Sequence, residues 1–355
     1  VIYVAFAAAT VAVFAVGPRL ARVVETIADR LGIGQVLVGA VLLGVVTSLA
    51  GLVLTVTAAA RGEAELAVAN ALGGVAAQTF FIAIADLAYR PGTLSSRVPT
   101  RQVTLQAAFL LAMLSLIVLA LGTADASWWR VHPITPVIVI AYVVGLHLSR
   151  RVDQDQRQVL DVGGEPPTDD ADTEGARGGL RGKMGELEEE PSERVRALES
   201  ASMSSLWLRF ATFAAVLGGA GFTLAWAGSS IAEQTPLSAT SVGVLLTAVA
   251  TSTPELVTAV AAARAGAIGL AAGDIIGGNV FDTLFVAAAD IAQSGSIFAA
   301  AGGSAVPLAG LAMLLNSLLL AGLVRQGGGT RNVDAESIAI AGVWSVGVIV
   351  LVVAG

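Results

Sequence analysis

Apolar residues run through most of the chain in blocks of roughly 18 to 25, the helix length that crosses a hydrocarbon core about 30 Å thick. Short clusters of Gly, Pro and Arg separate the blocks. Taken as boundaries, they predict spans near 1–17, 34–60, 64–89, 102–122, 131–149, 205–231, 238–263, 267–292, 304–324 and 336–354. The period-two alternation of barrel strands is not seen, so the expected fold is an all-α polytopic membrane protein of about ten transmembrane helices. The first run, "VIYVAFAAATVAVFAV", has neither a charged leading region nor a small-residue cleavage pattern and reads as a retained span.

The pattern repeats. At a constant offset of 204 residues, Thr47-Ser48 falls on Thr251-Ser252, Gly73-Gly74 on Gly277-Gly278, Thr79 on Thr283 and Asp86 on Asp290. Across 47–86 the two copies share 17 identities in 40 positions, in register and without a gap, which apolar bias alone does not produce. Each half carries five spans, and an odd number makes the second copy enter the membrane in the opposite sense. Inverted five-helix repeats of this kind build many secondary transporters, whose ion sites lie near the midplane where helices are broken. Residues 1–150 form the first repeat, with its central helices near 34–60 and 64–89. Residues 204–355 form the second, with central helices near 238–263 and 267–292.

Composition agrees. The hydrophobic share is 55%, only 13% is charged, and mean hydropathy is +0.79. The net charge of −7 is concentrated in residues 152–200, which hold 14 Asp/Glu against 6 Lys/Arg; the remainder is close to neutral, and nothing suggests a nucleic-acid partner. The loop 151–203 is polar and interrupted by Gly and Pro, and is expected to be a disordered linker, with ion sensing as a second role. With no cysteine there is no disulfide, thiolate metal site or thiol nucleophile. Arginines 19, 22, 30, 90, 97, 101, 150, 151, 264, 325 and 331 collect on one side of the predicted topology, against Arg61 and Arg130 on the other. By the positive-inside rule the 151–203 loop is cytoplasmic and both termini lie outside, in a cell (plasma) membrane.

Chemistry is concentrated in "VLLTAVATSTPELVTAVAAA". Pro254 removes a backbone donor and should free carbonyl oxygens around Ala250 and Thr251. Glu255 adds a carboxylate, Thr251 lies one turn before it, and Ser252 adds a hydroxyl. The next span, "GLAAGDIIGGNVFDT", contributes Asp274, Asn279 and Asp282. Carboxylates, hydroxyls and carbonyls are the hard ligands that Ca²⁺ and Na⁺ accept, and nothing favours a soft transition metal. A carboxylate at a helix centre costs at least about 2.5 to 3.5 kcal/mol on insertion scales, so such acids need a cation or a proton. A protonated structural acid is the alternative for each, and Gly273, Gly277 and Gly278 also serve plain helix packing.

The segments "ATSTPELVTA" and "GDIIGGNVFDTLFV" resemble the second signature repeat of the sodium/calcium exchanger family within the cation/Ca²⁺ antiporter superfamily, a G-T-S-x-P-E-L helix followed by a G-N/D-x-x-G-S-N-x-F-N helix. The resemblance implies ten helices in two inverted halves with an ion cluster between them. By position it implies Glu255 and Thr251 as Ca²⁺ ligands, Asp274 as the central acid and Ser252 as a Na⁺ ligand, with Thr47, Ser48 and Asn70 equivalent in the first repeat. It implies no cofactor; Ca²⁺ and Na⁺ or H⁺ would be bound as cargo.

The first repeat departs from the pattern. It reads "TSLAGL", so Ala50 and Gly51 replace Pro-Glu; Gly74 and Gly278 replace the family's serine, and Val75 its asparagine. Gly51 could break the helix but brings no charge, which implies weaker Ca²⁺ binding, a changed stoichiometry or a monovalent cargo, unless water or a neighbouring acid substitutes. A degenerate homologue that binds ions as a sensor or structural protein is the rival reading. "AAGD" at 271–274 only faintly suggests an intramembrane aspartyl protease. Glu63 and Glu65 are expected at an outer helix N-terminus, with an ion funnel as their second reading, and Asp86 and Asp290 at interfacial ends. His132 and His147 are expected in loop or interface positions, and Trp128, Trp129 and Trp226 in an aromatic belt.

Overall fold

The computed structural model describes residues 1–31, 44–88, 100–124, 126, 130–161, 200–264, 268–325 and 335–354. The first half comprises α1 (Ile2–Arg30), α2 (Gly44–Thr47), α3 (Leu49–Ala60), α4 (Ala64–Ala88), α5 (Thr100–Gly122) and α6 (Ile134–Asp161). The second comprises α7 (Met203–Gln234), α8 (Ala239–Thr251), α9 (Thr253–Arg264), α10 (Ile268–Ala292), the short α11 (Ile297–Ala300), α12 (Ala305–Arg325) and α13 (Ala335–Ala354). Seven helices are long and apolar enough to cross a membrane, and α8 with α9 forms one more span bent by 47°. The shorter apolar helices Leu49–Ala60 and Ile134–Ser149 occupy the remaining places of the ten. Two inverted five-helix halves account for the architecture.

Two predicted edges move. α1 runs through Gly17-Pro18 to Arg30 and α6 runs on to Asp161, so both helices continue well past their apolar stretch. The acidic residues 162–199, Trp128 and Trp129 lie outside the described residues.

α4 and α10 are the most enclosed spans. They pack on each other, and α3, α5, α9 and α12 surround them. Both helices are rich in alanine and glycine, which lets backbones approach; Ala67, Ala76 and Ala77 of α4 and Ala287 and Ala289 of α10 are buried in the main core. α1 and α7 form a separate pair on one flank, packed along each other and against the broken helices. Outward faces keep large apolar groups exposed, among them Ile140 and Val143 of α6, Trp207 and Phe222 of α7 and Ile349 of α13, as lipid contact requires.

The helix breaks obey the repeat. One falls at Ser48 (φ −84°, ψ 5°) and the other at Ser252 (φ −94°, ψ 8°), residues that differ by 204 in number. Pro254 lies in the first turn of α9, where a missing N–H costs nothing. No proline accompanies the first break, and Gly51 sits inside α3, three residues beyond it. A five-residue π turn, Gly243–Thr247, precedes the second break and shifts α8 in register as it approaches the midplane.

Crossing helices rest on both breaks through glycine. A Cβ on Gly17 of α1 would come within 2.5 Å of Pro254, and one on Gly221 of α7 within 2.3 Å of the Ala50 carbonyl oxygen. Gly17 and Gly221 are themselves 204 apart, as are Ala50 and Pro254. Each half thus lays its first helix over the break of the other half.

Candidate functional site

Glu255 occupies the first turn of α9, where unpaired N–H groups and the helix dipole favour a negative charge. It is buried, 1% exposed. Its Oε1 accepts a hydrogen bond of 3.2 Å from the Ser48 hydroxyl of the opposite break, and Thr47 also reaches the carboxylate. Asp282, on α10, is the second buried acid, close enough to Glu255 for their charges to interact; Ser48 bonds to it as well. The hydroxyl of the first break therefore touches two carboxylates supplied by the second half.

Gln78 completes this arrangement from α4. Its Nε2 donates to Asp282 Oδ2 at 2.6 Å and lies 3.3 Å from the Ser252 hydroxyl. Asn279 Nδ2 donates to Thr79 Oγ1 at 3.1 Å. Glycines make room: a Cβ on Gly74 would stand 3.8 Å from Asp282 Oδ2, and one on Gly278 3.3 Å from Gln78 Oε1. Gln78 and Asp282 are repeat-equivalent, so the pseudo-twofold axis passes through their contact.

Five buried oxygens have no hydrogen-bond partner: Glu255 Oε2, Asp282 Oδ1, Gln78 Oε1 and Asn279 Oδ1 here, and Asn70 Oδ1 two turns before Gln78 on α4. Leaving one buried polar atom unsatisfied costs about 1 to 3 kcal/mol, more for a charged one. All five are acceptors, and among the described residues no lysine or arginine is buried to neutralise the two acids. A set of unpaired acceptors carrying net negative charge is what a bare cation satisfies. No three of His, Cys, Asp and Glu converge among the described residues, so most of the coordination would fall to neutral oxygens.

The sequence-derived residues separate into groups. Glu255, Asp282, Thr47, Ser48, Thr251, Ser252 and Asn279 are buried around the two breaks. Asp274 stands apart: it is half-buried, accepts a 2.9 Å bond from Thr258, and lies two turns of α10 before Asp282. Asp282 meets Gln78 and Ser48 of the opposite repeat, whereas Asp274 bonds within its own half to Thr258 of α9. Asn70, its counterpart, donates to the Gly51 carbonyl (3.3 Å) and to Thr55 (3.0 Å), packing against its own half in the same manner. The Ala250 carbonyl expected to be freed by Pro254 instead accepts from Thr253 Oγ1 at 2.8 Å. Gln78 escaped sequence reasoning although its number differs from that of Asp282 by the repeat offset, the one signal that could have found it.

The remaining polar residues have local duties. Asp290 is fully buried and takes three donors, the backbone N–H groups of His132 and Ile297 and the Thr135 hydroxyl, each within 2.8 Å, so it ties the starts of α6 and α11 to the end of α10. Asp86 is also buried, and neither aspartate is an exposed interfacial anchor. His132 is buried in the turn before α6, with Nε2 at 2.9 Å from the Thr123 carbonyl; His147 is exposed. Glu63 pairs with Arg61 at 2.8 Å and accepts from Ser229 at 2.9 Å, tethering the α3–α4 turn to α7.

Inverted halves, paired helix breaks and unsatisfied buried carboxylates define the molecule as an ion-carrying secondary transporter, an integral membrane protein and not an enzyme. The family profile described as "Sodium/calcium exchanger protein" matches residues 1–148 and 205–353, and the chain belongs to that family. Among solved structures it is similar to an H⁺/Ca²⁺ exchanger, CAX (TM-score 0.66, 14% identity, covering 99% of this chain and 86% of the other). It is also similar to the sodium-calcium exchanger NCX_Mj (TM-score 0.57, 15% identity, 98% and 97% covered) and to YfkE (TM-score 0.55, 16% identity, 98% and 92% covered). No curated protein matches the sequence at a significant level.

Proposed function

We propose that this chain is a secondary active antiporter that moves Ca²⁺ against Na⁺ or H⁺ by alternating access to a midplane site centred on Glu255 and Asp282. The observation that carries the reading is the cluster of unpaired acceptor oxygens around two buried carboxylates with no buried cationic side chain among the described residues. Ser48, Ser252, Thr47, Thr251, Asn279 and Gln78 supply the surrounding neutral oxygens. Asp282 also provides, from α10, a second negative charge that the first break lacks at Gly51. Divalent binding weakens as ligand charge is lost, so this second acid supports Ca²⁺ as cargo over a monovalent ion alone. The 151–203 loop faces the cytoplasm, both termini face outward, and the host bilayer is the cell membrane.

The test is uptake of ⁴⁵Ca²⁺ into proteoliposomes under an imposed Na⁺ or H⁺ gradient, comparing the native chain with Glu255→Gln. Gradient-dependent uptake by the native chain, abolished in the variant, is expected. A second reading, a family member that binds cations without exchanging them, is favoured by the neutral Gly51; it requires Ca²⁺ binding that depends on Glu255 and flux of no cation under either gradient.

A further inference from the structure

Two glycines, one from each repeat, stand beside the polar centre. Gly74 of α4 and Gly278 of α10 are both buried and differ by 204 in number. A Cβ on Gly74 would be in ordinary contact with two oxygens, Ser252 Oγ at 3.7 Å and Asp282 Oδ2 at 3.8 Å. One on Gly278 would stand 3.3 Å from Gln78 Oε1. The repeat-equivalent partners of both positions, residues 48, 78, 252 and 282, are all among the described residues. Packing accounts for the neighbouring Gly73, whose Cβ would meet Val244 Cα at 3.1 Å and Ala248 Cβ at 3.2 Å. It does not account for Gly74, where a methyl fits.

The atoms that line the two glycines share a chemistry: carboxylate, hydroxyl and amide oxygens all accept hydrogen bonds. A water bound to a cation turns its lone pair to the ion and its two hydrogens outward, so it is held by acceptors behind it. Asp282 Oδ2 with Ser252 Oγ, and Gln78 Oε1, are such acceptors. Asp282 Oδ1, Glu255 Oε2 and Asn279 Oδ1 then remain, unpartnered, for direct contact with the ion. The nearest hydroxyls already have partners: Ser48 donates to Glu255, Thr251 to the Ala248 carbonyl, and Ser252 accepts from Gln78. Mg²⁺ needs about six ligands and Ca²⁺ about six to eight, so water in the shell is the expectation for either.

We propose that Gly74 and Gly278 are selectivity determinants: each seats one water on the transported cation, so that the site takes a partly hydrated divalent ion and accepts Mg²⁺ beside Ca²⁺. The inference deepens the exchange reading above and rests on it. Mg²⁺ dehydrates reluctantly and is held through one or two carboxylates with several waters kept, whereas Ca²⁺ takes protein oxygens in flexible geometry. Two carboxylates and two water seats suit the smaller ion as well as the larger. A serine at either position would put a fixed oxygen where the water sits, and fixed oxygens favour the ion that sheds its water more readily.

The purified full chain is titrated with Ca²⁺ and with Mg²⁺ by isothermal calorimetry. The native chain should bind both, with Kd values within about tenfold of each other. Gly74→Ser combined with Gly278→Ser should tighten Ca²⁺ and weaken Mg²⁺, widening the ratio of the two Kd values by roughly tenfold. Gly74→Ala separates a water seat from a structural glycine. Alanine is the better helix former and its methyl meets only ordinary contacts, so Tm in chelator should not fall. Losing the water should nevertheless weaken both ions roughly three- to tenfold, Mg²⁺ the more.

Unchanged affinities or a lower chelated Tm in Gly74→Ala would overturn the proposal and leave the exchange reading intact. So would a Ca²⁺-to-Mg²⁺ ratio that the serines do not move, or a native chain that binds Ca²⁺ and no Mg²⁺, a result that needs no variant to fold. The expected binding pattern without ⁴⁵Ca²⁺ flux under either gradient would sink the exchange reading and spare the water seats. A native chain that binds neither ion overturns both.

Discussion

Asp282→Asn should make the empty protein more stable while abolishing its response to Ca²⁺. The change is nearly isosteric. Asn Oδ1 can accept the Gln78 bond that Asp282 Oδ2 accepts now at 2.6 Å. The new NH₂ group then points among unpaired acceptors, Gln78 Oε1, Asn279 Oδ1 and Glu255 Oε2 being the candidates, in place of an unpaired Asp282 Oδ1. Removing a carboxylate from mid-membrane relieves about 2.5 to 3.5 kcal/mol on insertion scales, and a gained hydrogen bond adds about 0.5 to 1.5 kcal/mol; loss of the charged form's bonds to Gln78 and Ser48 offsets part of this. The balance is on the order of 2 to 3 kcal/mol in favour of the empty variant. With an unfolding entropy of about 2.1 cal/mol/K per residue, that is a rise of roughly 3 to 4 °C in Tm for a chain of this length. The native chain, by contrast, should gain about 2.7 kcal/mol from Ca²⁺ at a hundred times its Kd, and the variant close to nothing. Thermal unfolding in detergent with a chelator and with Ca²⁺ reads both quantities. A lower Tm for the chelated variant, or equal stabilisation of both proteins by Ca²⁺, would show that Asp282 is a structural acid and refute the reasoning.

Further outcomes follow from the packing. Gly51→Glu, which would restore charge to the first break, meets Phe285 Cε2 at 3.1 Å from the new Cβ, so alone it should lower Tm; paired with Phe285→Leu it should fold and bind Ca²⁺ more tightly by isothermal titration. Gly221→Ala drives a methyl to 2.3 Å from the Ala50 carbonyl and should cost about 1 to 3 kcal/mol as overpacking, read as a drop in Tm, whereas Gly219→Ala on the same helix, with nothing within 4 Å, should be silent.

The lengths of the apolar runs located the spans as far as the described residues reach, with 34–43 of the second span lying outside them, because a bilayer fixes how much apolar helix each crossing needs. They misplaced the ends of α1 and α6, since nothing in lipid physics stops a helix when its polar residues emerge into water. The 204-residue offset exposed the inversion and therefore the two breaks, yet the first break lies at Ser48 and not at Gly51: a break is present at the repeat-equivalent position although no proline accompanies it. The site was half legible. Glu255 stood out beside Pro254, but choosing between Asp274 and Asp282 requires knowing which side of α10 meets α4, and linear spacing does not contain that. Gln78 was invisible for a related reason: a lone glutamine in an apolar helix acquires meaning only once its partner across the pseudo-twofold is known. The partners of Asp290 come from three elements far apart in sequence, and no local pattern announces them.

The contact between Gln78 and Asp282 bears on how such a chain comes to exist. A dimer of identical subunits would have set the same side chain against itself at this point, aspartate facing aspartate or glutamine facing glutamine. Neither pairing joins a charged acceptor to an amide donor at 2.6 Å. Two copies that differ in sequence allow one to be acidic and the other neutral, so the uneven share of charge at the centre of the bilayer is a property that no symmetric assembly of identical halves could possess.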